Sequence, residues 1–78
     1  MATMVRIEIN TAADRWDTVV NSDTTVKAVL EAENVRYDNC VVHLNGMPLT
    51  SNELNKTFEA HNITDACTLS AIVKARNA

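Results

Sequence analysis

Residues 40–49 read CVVHLNGMPL, and this stretch decides the fold. Its first half is predicted to be a strand. Asn45-Gly46 follows, and this dipeptide favours a two-residue hairpin turn because both turn positions need a positive φ. The returning segment contains Pro48, which cannot donate a hydrogen bond to a neighbouring strand. The stretch therefore predicts a hairpin whose second strand is short and lies at the edge of a sheet.

Two strands are predicted before this hairpin. Residues 4–10 alternate apolar and polar side chains with a period of two, which indicates a half-buried strand. Residues 10–14 have the composition of a turn, and residues 15–20 form a second strand, so an antiparallel hairpin is the simplest interpretation. The side chains predicted to face the core are Val5, Ile7, Ile9, Trp16, Thr18 and Val20.

A helix is predicted between the two hairpins. Residues 22–25 supply side-chain oxygens that can cap a helix, which then runs to about Asn34. Within it, Val26, Val29 and Leu30 fall at positions i, i+3 and i+4 and form one apolar stripe. This stripe is the surface expected to pack on the sheet.

The last third of the chain contains short helical segments and one more strand. Residues 50–53 fit a capping box, and residues 57–61 are predicted to form a further helical turn. Residues 67–74 alternate again, as a strand does. Its inward side chains are predicted to be Leu69, Ala71 and Val73. The order is therefore β-β-α-β-β-(short helix)-β, a mixed four- to five-stranded sheet packed on one helix, in the α+β class.

Composition predicts one small acidic domain over residues 1–78. The chain is 46% hydrophobic and 22% charged, with a formal net charge of −3. Its lysines and arginines are scattered singly, whereas a surface that follows phosphates needs grouped cations, so neither nucleic acid nor membrane is expected as a partner. No signal-peptide pattern or membrane-length apolar run is present, so a cytoplasmic monomer is expected.

The ordered set of segments resembles the β-grasp fold of ubiquitin, from Met4 to Lys74. Residues 22–24 resemble ubiquitin's helix start, and residues 44–49 resemble its central hairpin. Residues 57–63 resemble its late turn, and residues 68–69 resemble its final strand. Residues 25–31 and 42–46 also look like the bacterial sulfur carriers of thiamin and molybdopterin synthesis. The resemblance implies a ubiquitin-like β-grasp domain.

The tail departs from that pattern. Ubiquitin and the sulfur carriers act through a flexible tail ending in Gly-Gly, which an activating enzyme threads through a channel that admits no side chains. Here residues 73–78 read VKARNA, and the only glycine of the sequence is Gly46. What the resemblance then implies is a non-conjugated module that binds another protein and needs neither catalysis nor a cofactor.

Two alternatives remain open at this point. The chain could be a sulfur-carrier or protein-modifier relative that serves as an accessory to an activating enzyme. A β-grasp regulatory module of the kind attached to nucleotide-binding enzymes is a third possibility.

The candidate contact surface is the exposed face of the sheet. By strand parity, Val41 and His43 point outward from the third strand, and Ser70 and Ile72 point outward from the last. In the fold that the chain resembles these strands are neighbours, and His43 and Ile72 match two positions of ubiquitin's main partner-binding patch. A histidine replaces a branched aliphatic residue there, which makes the patch less apolar and adds a group that titrates near neutral pH.

Other chemistry is not expected. Cys40 and Cys67 should lie at opposite ends of antiparallel neighbours, roughly 16 Å apart, and are predicted to be separate thiols because a disulfide needs Cα atoms within about 7 Å. His43 and His61 have no second ligand at metal spacing, so no metal is expected. One helix on one sheet is also expected to leave little room for a catalytic pocket of several hundred Å3.

Overall fold

The computed structural model describes residues 3–73. Five strands form one mixed sheet in the order β2-β1-β5-β3-β4. The elements, in chain order, are β1 (Met4–Asn10), β2 (Arg15–Asn21), α1 (Val26–Ala32), β3 (Cys40–Leu44), β4 (Met47–Pro48), α2 (Ser51–Leu54) and β5 (Ala66–Val73). The predicted element order and α+β class are confirmed.

Pairing within the sheet places the last strand in its centre. β1 and β2 pair antiparallel along their full length, β1 and β5 pair parallel, and β5 and β3 pair antiparallel. A parallel pair needs a long crossover connection, which here consists of the whole chain between β1 and β5, including β2. The N-terminal hairpin and the β3–β4 hairpin are therefore joined through β5.

The core lies between the inner face of the sheet and α1. The predicted inward residues of β1 are fully buried, and those of β2 are half-buried. The apolar stripe of α1 is buried too, and Thr25 caps the helix by accepting a hydrogen bond from the backbone N–H of Ala28. The buried hydrophobic residues are Val5, Ile7, Ile9, Val26, Val29, Leu30, Val35, Val42, Leu44, Phe58, Cys67, Leu69 and Ala71. Among residues 3–73, no helix has the length and apolar character needed to cross a membrane.

The hairpin that decides the fold forms as predicted. Asn45 and Gly46 have φ values of 52° and 86°, and His43 pairs with Pro48 across the turn. β4 is a two-residue edge strand because Pro48 cannot extend the ladder. The capping box over residues 50–53 is also present, and its backbone hydrogen bond from Thr50 lowers the pKa of Glu53.

Two predicted details are wrong, and one is confirmed. α1 ends at Ala32 instead of near Asn34, because Asn34 adopts a left-handed φ of 59°, which stops a helix. The predicted helical turn over residues 57–61 is present: the His61 N–H donates to the Thr57 carbonyl (3.2 Å), and the bridge between Thr57 and Thr25 holds the turn against the start of α1. Val73 has the inward parity but is 63% exposed, because β5 runs past the end of the core.

Candidate functional site

The four predicted contact residues lie together on the face of the sheet opposite α1. Val41 pairs with Ile72 and His43 pairs with Ser70 across the β3–β5 ladder. Ile72 is 54% exposed, and the other three side chains are half-buried. We call these four residues the outer patch. Their proximity follows from strand parity together with the central position of β5.

The position of β3 against β5 is fixed by a contact that the sequence analysis missed. The backbone N–H of Asn45 donates to the Thr68 carbonyl (2.9 Å), and the Thr68 N–H donates to Asn45 Oδ1 (2.9 Å). The Asn45 side chain thus continues the ladder by one step beyond β3. Asn-Gly predicted the turn but carried no signal for this second role.

A groove beside the outer patch was also missed. It has a volume of about 480 Å3 and a mostly apolar lining that includes Ala12, Ile72 and Val73. Its far wall is the β1–β2 loop. This loop follows the end of β1, and it comes close to the end of β5 because β1 and β5 are parallel. We call it the loop groove. Ala12 and Ile72 are far apart in the sequence, so no local pattern could have predicted that they line the same groove.

Polar side chains form a row next to the apolar pair of the outer patch. Asn10 pairs with Ser70 on one side of β5, and His43 pairs with Ser70 on the other. All three side chains are half-buried. We call Asn10, Ser70 and His43 the polar row. It runs across three strands, so its span is about 10 Å from the usual strand spacing.

Charged groups occupy the other half of the outer face. Arg15 Nε lies 3.4 Å from Glu8 Oε2, and Glu8 stands directly opposite Asp17 in the β1–β2 register. These residues, with Arg6, line an open groove of about 610 Å3. The groove lies open on the surface of the sheet, so the expectation that the fold leaves little room for a catalytic pocket stays a prediction. Within residues 3–73, no group of three His, Cys, Asp or Glu side chains could hold a metal ion.

The second histidine serves the fold. His61 Nε2 lies 2.8 Å from the Glu53 carbonyl oxygen, to which it donates. This contact ties the late turn to α2, on a part of the surface apart from the outer patch. His61 and His43 therefore act in separate places.

The two cysteines lie at opposite ends of the β3–β5 pair. Cys40 pairs with Val73, whereas Cys67 lies two residues before Leu69, the partner of Leu44. Both are free thiols. Burial raises the pKa of Cys67 to about 11. The Sγ of Cys40, which is half-buried, donates to the Arg36 carbonyl (3.3 Å).

The difference in burial predicts selective thiol labelling. In native protein at pH 8, Ellman's reagent is expected to modify Cys40 and to spare Cys67, because only thiolate reacts and Cys67 is 8% exposed. The pKa of Cys67 lies above its ordinary value of 9.0 because burial disfavours the thiolate. The buried, protonated thiol therefore makes its full contribution to the free energy of unfolding below pH 9, and this contribution is lost as the pH rises toward 11. Cys67→Ala provides the assignment, and equal rates for the two thiols would contradict the prediction.

Comparisons with known proteins give a consistent structural result. No protein-family model matches the sequence, and no curated protein matches it. The ubiquitin-like domain of an Arabidopsis thaliana protein superposes with a TM-score of 0.71 at 14% identity, covering 97% of this chain and 83% of that one. Caldiarchaeum subterraneum ubiquitin superposes with a TM-score of 0.68 at 18% identity, covering 96% and 99%.

A third similar structure comes from a larger protein. The C-terminal ubiquitin-like domain of mouse tubulin-specific chaperone e superposes with a TM-score of 0.67 at 8% identity, covering 99% of this chain and 93% of that one. Identities this low establish the architecture alone. Together with the strand order and registers above, they show that this chain has the ubiquitin-like β-grasp fold.

Proposed function

We propose that the chain is a non-conjugated ubiquitin-like module that binds a partner protein through the outer patch. The observation that carries the proposal is the exposure of Ile72, at 54%, next to Val41 and at the edge of the loop groove. The buried centres of protein interfaces are more apolar than their rims, and an exposed aliphatic side chain beside an apolar depression supplies such a centre. The face lies opposite α1, so a partner can reach it without disturbing the core.

Support for a module that acts by binding comes from the outer patch and from similar domains. Gly46, the one glycine among residues 3–73, is held in the β3–β4 turn at φ 86°. Ubiquitin-like domains also occur within larger proteins, as in tubulin-specific chaperone e. We propose a binding role without catalysis or cofactor.

Site-specific photo-crosslinking tests the proposal. Benzoylphenylalanine at position 72 is expected to trap a discrete partner from a native lysate, whereas the same group at position 19 is expected to trap none. Val19 is the matched control because it lies on the same face of the sheet and is also 54% exposed, but on β2. Equal crosslinking from the two positions, or none from position 72, would contradict the site.

A further inference from the structure

The Asn45-Gly46 turn carries a chemical reactivity that the binding of a partner does not use. In any Asn-X pair, the backbone nitrogen of X can attack the side-chain amide carbon of the asparagine and expel ammonia. The attack is least hindered when X is glycine, because glycine has no Cβ beside that nitrogen. The chain has nine asparagines, and Asn45 is the only one followed by glycine. Intrinsic reactivity is therefore greatest at Asn45.

The surroundings of the turn leave both reacting groups open to water. Asn45 and Gly46 are exposed, and a Cβ built at Gly46 would meet no atom within 4 Å. Within residues 3–73, the Gly46 N–H has no backbone hydrogen-bond acceptor. Solvent can therefore take the proton that this nitrogen has to lose in the reaction.

The fold restrains the same reaction through Thr68. The Oδ1 atom of Asn45 accepts a hydrogen bond from the Thr68 N–H (2.9 Å), which holds the side chain toward β5. The amide carbon has to turn toward the Gly46 nitrogen to react, and Oδ1 then leaves Thr68. One exposed hydrogen bond shifts such a local equilibrium by roughly two- to tenfold. The contact therefore slows the reaction without preventing it.

The reaction has two steps and needs only water as a co-reactant. A bond forms between the Gly46 nitrogen and Asn45 Cγ, the Cγ–Nδ2 bond breaks, and ammonia leaves with the proton that Gly46 has lost. Water then adds to one of the two carbonyl carbons of the five-membered imide and reopens the ring. Addition at Cγ gives aspartate. Addition at the main-chain carbonyl gives isoaspartate, whose main chain runs through the former side chain.

The contact with Thr68 distinguishes between the two products. Aspartate has the shape of asparagine, so a carboxylate oxygen can accept from the Thr68 N–H as Oδ1 does. Isoaspartate carries its carboxylate directly on Cα, one methylene shorter, and lengthens the main chain of the turn by the same methylene. This carboxylate falls short of the Thr68 N–H, and the longer turn no longer matches a two-residue hairpin.

We infer that Asn45 is a site of spontaneous deamidation, at which the fold tolerates aspartate whereas isoaspartate releases the end of β3 from β5. The released contact lies two residues from His43 of the outer patch. Each product replaces a neutral amide by a carboxylate, so the net charge changes from −3 to −4. The reaction needs neither an enzyme nor a partner, so this inference goes beyond the proposed function and does not depend on it.

Ageing of the folded protein tests the site. The full chain is incubated at pH 8 and 37 °C, digested, and analysed by mass spectrometry for conversion of an amide to a carboxyl group. We expect conversion at Asn45 before any other asparagine, and roughly two- to tenfold faster conversion in urea that unfolds the protein. Earlier conversion at another asparagine of the folded protein would overturn the site. An acceleration in urea outside that range would overturn the role of the Thr68 contact.

Hydrogen exchange of the Thr68 amide, followed by nuclear magnetic resonance, tests the difference between the products. Asn45→Asp represents the aspartate product, and the isoaspartate form is isolated from the aged sample by chromatography. Exchange at Thr68 should stay within about threefold of wild type in Asn45→Asp and rise roughly tenfold or more in the isoaspartate form. The Ile7 amide, in the β1–β2 ladder, is the control and should exchange equally in all forms. Equal exchange at Thr68 in both products, or equal acceleration at Thr68 and Ile7, would contradict a release confined to this contact.

Discussion

Replacement of Phe58 by alanine is expected to lower the free energy of unfolding by about 3–5 kcal/mol. Phe58 is 0% exposed, is the only phenylalanine of the chain, and is the largest fully buried side chain. Its backbone N–H donates to the Thr24 carbonyl (3.1 Å), and its carbonyl accepts from the Ile63 N–H (2.8 Å). These bonds keep the segment in place, so the core cannot easily collapse into the cavity left by the ring.

Urea denaturation followed by circular dichroism measures this effect. A chain of this length has a total stability of roughly 4–12 kcal/mol, so the variant is expected to lose between about a quarter of its stability and all of it. Ile72→Ala is the control, and it should change the stability by about 0.5 kcal/mol or less because the side chain is 54% exposed. A loss below about 1 kcal/mol for Phe58→Ala would mean that this turn is not packed as described.

Ile72→Glu is expected to weaken binding of the crosslinked partner about 30-fold or more. Loss of a hot-spot residue at the centre of an interface costs about 2 kcal/mol or more, and a carboxylate placed against the loop groove adds a desolvation cost. The fold should be unaffected, because the side chain projects from the outer face. Isothermal calorimetry or surface plasmon resonance with the purified partner gives the affinity.

The matched control for this binding measurement is Val19→Glu. Val19 and Ile72 have the same exposure of 54% and lie on the same face, so both substitutions add one negative charge to that face at equal exposure. Val19→Glu should change the affinity by about twofold or less. A similar loss in both variants would show that net charge, instead of the outer patch, controls the interaction.

Local patterns in the sequence predicted much of this fold. The period of two in β1 placed Val5, Ile7 and Ile9 in the core, and Asn45-Gly46 predicted the β3–β4 turn. These features are set by neighbouring residues, so they can be recognised without knowing the rest of the structure. The ends of elements were less predictable. Asn34 ends α1 in a local turn with a left-handed φ, and the exposure of Val73 depends on where the core stops beneath β5.

The candidate site was predictable only in part. Strand parity gave the outward direction of Val41, His43, Ser70 and Ile72, and the resemblance to ubiquitin placed their strands side by side. No pattern in the sequence indicated that Asn10 lies in the polar row or that the β1–β2 loop lines the loop groove. They arise from the parallel pairing of β1 with β5, which joins residues far apart in the chain.

The central position of β5 has a consequence for how the molecule forms. The two hairpins lie on opposite sides of this strand, and within residues 3–73 the sheet connects them only through it. As the chain leaves the ribosome, each hairpin can close by itself, but neither gains a continuous hydrophobic surface until β5 inserts between them. Assembly is therefore expected to occur late and cooperatively, with contacts of long sequence separation limiting its rate.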